Sequence, residues 1–168
     1  MKRSFRTESE LTEVILRSRQ FHDILGHTGW SRWEEREVEG LFGVPDFVCA
    51  FGSLSSSGDR MIRTFAFEMK LRNWRRALIQ AFRYAAFAHF SYVVMDHEHV
   101  DRATRQLSLF RRCNVGLISV KPDGETVVHA HPRYQEPYSD SLGTLLVERV
   151  SRALFPIHVE ANCVPGEA

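Results

Sequence analysis

Cysteine is scarce in this chain: Cys49, Cys113 and Cys163 are its three, far apart and without a CxxC pair. That usage argues against a disulfide framework and a structural zinc ribbon, and fits a reducing cytoplasm. Long apolar runs are missing as well. No stretch approaches ~18 apolar residues without a charge, so no membrane-spanning helix is expected. The opening MKRSFRTESE is basic with no apolar run behind it, and does not read as a signal peptide. A Walker-type phosphate loop, a dinucleotide fingerprint and a GxSxG elbow are all absent. No internal repeat or low-complexity segment is visible.

What remains is ample material for a core. The 168 residues are 43% apolar and include 12 Phe and 3 Trp, enough to bury roughly 70% of the unfolded surface without a covalent staple. The expectation is a single domain over 1–168, with a core at about 8–130, an accessory helix at 139–155 and a tail at 156–168. The net charge of +1 hides a strong segregation. Residues 8–46 hold nine acids against four bases, whereas residues 70–83 hold five bases (Lys70, Arg72, Arg75, Arg76, Arg83) and no acid. Residues 102–121 repeat the basic bias through Arg102, Arg105, Arg111, Arg112 and Lys121. A basic surface beside clustered carboxylates suits an enzyme that acts on a polyanion.

Hydrophobic periodicity orders the elements. Residues 8–25 carry apolar positions at 11, 14, 15, 21, 24 and 25, which predicts an amphipathic helix ended near Gly26. An extended stretch at 30–38, a Gly40/Gly43 turn and a strand at 46–51 follow. The Ser/Gly-rich run at 52–60 reads as a hairpin loop, and 61–71 as the clearest strand. A helix is expected over 74–90, a strand at 91–95, a basic helix at 97–112, strands at 115–120 and 126–130, and a helix at 140–154. Antiparallel strands first and strand-helix-strand crossovers afterwards predict an α/β fold, a mixed central sheet with helices on both faces.

The strand at 65–71 carries the chemistry. Its alternation sends Phe65, Phe67, Met69 and Leu71 to one face and Ala66, Glu68 and Lys70 to the other. Asp46 shares a face with Val48 and Ala50 in the preceding strand, so hairpin pairing lets Asp46 and Glu68 converge. Two carboxylates on a rigid sheet suit Mg²⁺, which takes oxygen ligands and keeps several waters. A neighbouring lysine can orient a water or offset charge on a phosphate. On an ordinary amphipathic strand the same Glu68–Lys70 spacing makes an exposed ion pair. His97, His99, His129 and His131 lack cysteine or HExxH company and read as ordinary polar histidines.

Gly43-Val44-Pro45-Asp46, a spacing of 21 residues, Glu68-Met69-Lys70 and a helix bearing Gln80-Ala81-Phe82-Arg83-Tyr84 resemble the PD-(D/E)XK nuclease superfamily, restriction-endonuclease-like in fold. The helix motif is similar to the QxxxY of its RecB-like and Holliday-junction-resolvase-like branches. The resemblance covers about residues 8–130. It implies Asp46 and Glu68 as metal-binding acids, Lys70 as the catalytic lysine, and Gln80 and Tyr84 as motif residues beside the site. It also implies one more upstream acid, for which Glu10, Glu13, Glu35 and Glu37 are candidates and Glu13 is preferred.

The function so implied is Mg²⁺-dependent hydrolysis of DNA phosphodiester bonds, with Mn²⁺ as a substitute. DNA would be held by Arg72, Arg75, Arg76 and Arg83 and by the basic helix at 97–112. The protein would act as a homodimer or as a subunit of a larger assembly, for example in a repair, mobile-element or defence system. The rival expectation is an inactive nuclease-fold protein that binds nucleic acid or serves assembly.

Overall fold

The computed structural model describes residues 4–26 and 29–156. Apart from Pro156, the expected tail at 156–168 lies outside the described residues, as does Cys163. Six strands form one mixed open sheet packed against helices: β1 (Ser31–Arg36), β2 (Phe47–Leu54), β3 (Arg60–Lys70), β4 (Phe90–Asp96), β5 (Gly116–Val120) and β6 (Thr126–Ala130). Their order across the sheet follows the chain, β1 to β6. The β1–β2, β2–β3 and β5–β6 pairs are antiparallel, while β3–β4 and β4–β5 are parallel.

The period-2 pattern of β3 sorts the core into two layers. Phe65, Phe67 and Met69 join Leu11, Ile15 and Phe21 from helices α1 (Glu8–Arg17) and α2 (Arg19–Ile24). Ala66 packs on the other side, among residues of α3 (Trp74–Tyr84) and α6 (Asp140–Leu154). Phe67 lies stacked on Tyr92 and edge-on to Phe21. Truncating a fully enclosed ring of this kind to alanine costs about 3–5 kcal/mol.

Three expected helices are shorter or broken, each for a visible reason. The helix expected at 8–25 divides at Ser18, which is extended (ψ 109°) and caps α2 by accepting from the Phe21 N–H. Its hydroxyl also donates to Gly124 O at 3.1 Å, a side-chain alternative to continued helix. The helix expected over 74–90 ends at Tyr84. The carbonyls of Ala85 and Ala86 accept from Tyr138 and Ser139 N–H groups, and so do not serve the amides of residues 89 and 90. The basic helix expected at 97–112 is a 3₁₀ turn (His97–His99), α4 (Asp101–Thr104) and α5 (Leu107–Arg112). No side chain caps α4 or α5; buried Val100, Ala103 and Phe110 tie the pieces to the core.

The core also runs past both of the limits expected from sequence. Phe5 is buried ahead of residue 8, and Leu146 and Val150 bring α6 into the main core beyond residue 130. That helix therefore belongs to the packing rather than being an accessory. No helix among the described residues is long and apolar enough to cross a membrane.

Candidate active site

Strand geometry delivers the first two acids. Phe47 pairs with Phe67, so the continued register sets Asp46 opposite Glu68 and Pro45 opposite Met69. Pro45 lacks an N–H and the regular ladder stops there. The Met69 N–H instead donates to Asp46 Oδ2 at 2.7 Å, which fixes the carboxylate at the end of the strand pair. On the backbone side, the Glu37 N–H donates to Asp46 O at 3.2 Å.

Glu68 is 1% exposed, yet each of its oxygens has a donor. Lys70 Nζ lies 3.0 Å from Oε1, and the Tyr84 O–H donates to Oε2. The same phenol hydrogen is shared with Val44 O at 3.2 Å, which ties the loop before Asp46 to α3. Gly43 lies at the point of closest approach. Its φ of +88° suits glycine, and a Cβ there would stand 3.3 Å from the Tyr84 ring.

The lysine is more enclosed than a surface ion pair, with its side chain 14% exposed. Besides Glu68, its Nζ donates to Glu8 Oε2 at 2.9 Å and to Met69 O at 3.0 Å. Burial works against the ammonium, but the hydrogen bonds to Glu8 and Glu68 outweigh it and raise the Lys70 pKa. The acids move the other way from comfort. Burial raises Glu68, with the nearby Asp46 charge adding to it and the Tyr84 and Lys70 bonds offsetting part. Burial raises Asp46 too, against the Met69 N–H and Lys70, with the charges of Glu8 and Glu37 pushing upward. Crowded, desolvated carboxylates of this kind are stabilised by any cation brought among them.

The upstream acid in this cluster is Glu8, which sequence reasoning missed. Glu13 pairs instead with Arg36 at 2.5 Å and with Arg17 at 3.5 Å. Glu10 reaches back to the Arg6 N–H at 2.9 Å beside the Thr7 cap, and Glu35 pairs with Arg149. Glu37 lies close enough for its charge to act on Asp46. The missed signal was helical phase. Glu8 precedes buried Leu11 by three residues and Ile15 by seven, so it extends the inward stripe by one turn.

On α3, Gln80 is half-buried, and its Oε1 is shut from solvent with no hydrogen-bond partner among the described residues. Helical phase puts Gln80, Arg76 and Arg83 on the Tyr84 flank, and the Arg83 charge acts on the Tyr84 phenol. The other two arginines lie elsewhere. Arg75 rests on the Trp74 ring at 4.8 Å, and Arg72 Nε donates to His99 Nε2 at 3.1 Å. Buried Asp96, on the other face of β4, is engaged by Ser4, Phe5 and Glu98. His97 and His129 meet at the buried Ser119 hydroxyl, at 3.0 and 2.8 Å.

Comparison with family models, curated proteins and solved structures finds no match for this chain. The site is therefore read from its own donors. Among the described residues, no three His, Cys, Asp or Glu side chains gather as a metal cage. The Glu68 carboxylate on β3, the Asp46 carboxylate just ahead of β2, a backbone carbonyl and an ammonium do gather. That donor set suits Mg²⁺, which commonly takes one or two carboxylates and completes its shell with waters and substrate phosphates. A cation would also relieve the burial and mutual repulsion that push Asp46 and Glu68 up.

Proposed function

We propose that the chain is a metal-dependent nuclease that hydrolyses DNA phosphodiester bonds on a restriction-endonuclease-like, PD-(D/E)XK scaffold. The observation that carries this reading is the pairing of buried Glu68 with the largely enclosed Lys70, set beside Asp46 at the end of β3, with Glu8 on the same ammonium. An exposed amphipathic strand has no use for an ammonium so enclosed by carboxylates. Asp46 and Glu68 would hold Mg²⁺ or Mn²⁺. When bound, the cation supplies Lewis-acid stabilisation of phosphate charge and an acidified water.

The chain's own residues do the positioning. The Met69 N–H and the Tyr84 O–H orient the two carboxylates, so neither must reorganise when substrate arrives. Lys70 stays an ammonium because Glu8 and Glu68 hold its proton, so it acts as a fixed positive charge near the phosphate rather than as a neutral base. Arg76 and Arg83, on the Tyr84 flank, contact backbone phosphates and set the register without reading sequence. The sparse, scattered cysteines fit a cytoplasmic enzyme acting as a homodimer or within a larger assembly.

Incubation of the purified chain with plasmid and linear DNA tests the reading. Cleavage with Mg²⁺ or Mn²⁺, abolished by EDTA, is the expected result. Calorimetry with the same cations runs alongside. A folded protein that binds DNA without cutting it under any cation would instead be the inactive binding or assembly protein.

A further inference from the structure

The loop that delivers Asp46 carries two apolar side chains that the chemistry above does not use. Phe42 is 54% exposed and Val44 50%. The loop is tied to α3 just after Phe42. Gly43 between them packs against the Tyr84 ring, and Val44 O accepts from the Tyr84 O–H. Since that same O–H also serves Glu68, one phenol joins the loop to the acid pair. Gly40 and Gly43 stand on either side of Phe42 at φ of +86° and +88°, a conformation that residues with a Cβ rarely adopt. The loop thus presents an exposed aromatic ring four residues ahead of Asp46.

On α3, beside the anchoring Tyr84, the charge is positive, while the loop itself carries exposed Glu37 and Glu39. Arg83 acts on the Tyr84 phenol, Arg76 shares its flank, and no acid occurs between Lys70 and Asp96. We propose that Phe42 is a base-stacking platform and that the substrate class of this site is single-stranded DNA or an unpaired end, not intact duplex. The proposal rests on the nuclease reading and narrows it. Within a duplex the faces of the bases are covered by their neighbours. Only an unpaired nucleotide offers a free π-face to a protein ring, and every base offers one, so the contact carries little sequence preference. Phosphates of the same strand fall to Arg76 and Arg83, while the loop's Asp46 stands four residues beyond the ring.

Binding measured in EDTA, where no cutting occurs, separates this inference from the nuclease reading. The probes are a fluorescent 12-nucleotide single strand and the same strand in duplex, titrated with the parent protein, Phe42→Ala and Phe42→Tyr. The expected result is tighter binding of the single strand, about tenfold weakening by Phe42→Ala, recovery by Phe42→Tyr, and an unchanged duplex affinity. Placing 2-aminopurine in the strand should give quenching that Phe42→Ala removes. Equal effects on both probes, or none in a variant with native circular dichroism, would overturn the platform while leaving the nuclease reading intact. Self-association that Phe42→Ala abolishes would show the ring to be a protein contact and overturn it likewise. Failure of the parent to bind either probe would overturn the platform, while the nuclease reading stands or falls on the cleavage assay with Mg²⁺ or Mn²⁺.

Discussion

Glu8 and Lys70 are 62 residues apart in sequence and 2.9 Å apart in space. Glu8 opens α1, and Lys70 closes the central β3, so their contact exists only because α1 packs across that strand. The consequence is a lysine whose proton is doubly held. Glu8→Gln should lower the Lys70 pKa and leave Asp46 and Glu68 in place. Cleavage should fall by about tenfold, one lost charge-assisted bond at about 1.5 kcal/mol, with Mg²⁺ affinity little changed. The measurement is a pH–rate profile of the variant, whose basic limb should move to lower pH.

Glu68 and Lys70 separate when each is truncated. Glu68→Ala removes a carboxylate, so both Mg²⁺ affinity and cleavage should collapse. Lys70→Ala removes a positive charge beside Asp46 and Glu68, so cation affinity should hold or rise while cleavage fails. An exposed partner lysine would be worth only about 0–1 kcal/mol and its loss would leave catalysis nearly intact. Calorimetry and plasmid cleavage, run together on both variants, decide the point. Near-parental cutting by Lys70→Ala would falsify its catalytic role.

The raised Asp46 pKa makes a stability prediction of definite sign. A carboxyl with a folded pKa above its unfolded value binds its proton more tightly in the folded chain. Its favourable contribution is complete below the ordinary value near about 3.9 and is lost as pH rises through the raised value. At neutral pH the charged Asp46 therefore costs stability. Asp46→Asn keeps an acceptor for the Met69 N–H and removes that cost, so its Tm should exceed the parent's at pH 7.5 in EDTA. The gap should close as pH falls through the raised value. Each kcal/mol corresponds to about 2–4 °C at this chain length. Mg²⁺ should raise the Tm of the parent and not of Asp46→Asn. Equal Tm values in EDTA at both pH extremes would contradict the electrostatic account of the site.

Arg76→Ala with Arg83→Ala should weaken DNA binding uniformly across sequences and reduce the salt slope by about 2. Both side chains are exposed, so circular dichroism and Tm should be unaffected. Unchanged affinity in a folded double variant would move the DNA path off α3, toward the basic pieces around α4 and α5.

The limits of sequence reading show in particular elements. Strict alternation over 65–70 needs only neighbouring residues to be seen, and the structure places Phe67 in one layer and Glu68 facing the other. Pro45 before Asp46 stands where the β2–β3 ladder ends, and its missing N–H is a local property of the chain. The broken helices were not legible in the same way. Whether a helix continues past Tyr84 depends on which partner takes the carbonyls of Ala85 and Ala86, and that partner arrives from residues 138 and 139.

The same division runs through the site. By itself the sequence determined that Glu68 and Lys70 share one face of a strand, and that Gln80 and Tyr84 share one flank of a helix. Both follow from backbone periodicity, which is intrinsic to the chain. It also placed Asp46 close to Glu68, given the hairpin between them. Only the tertiary structure decided that Glu8, not Glu13, meets Lys70. Glu10, Glu13, Glu35 and Glu37 offered similar local chemistry, and which carboxylate reaches an ammonium depends on how α1 lies across the sheet. That docking is set by Leu11, Ile15 and Phe21 packing on Phe65 and Phe67, a contact between segments that no window of sequence contains.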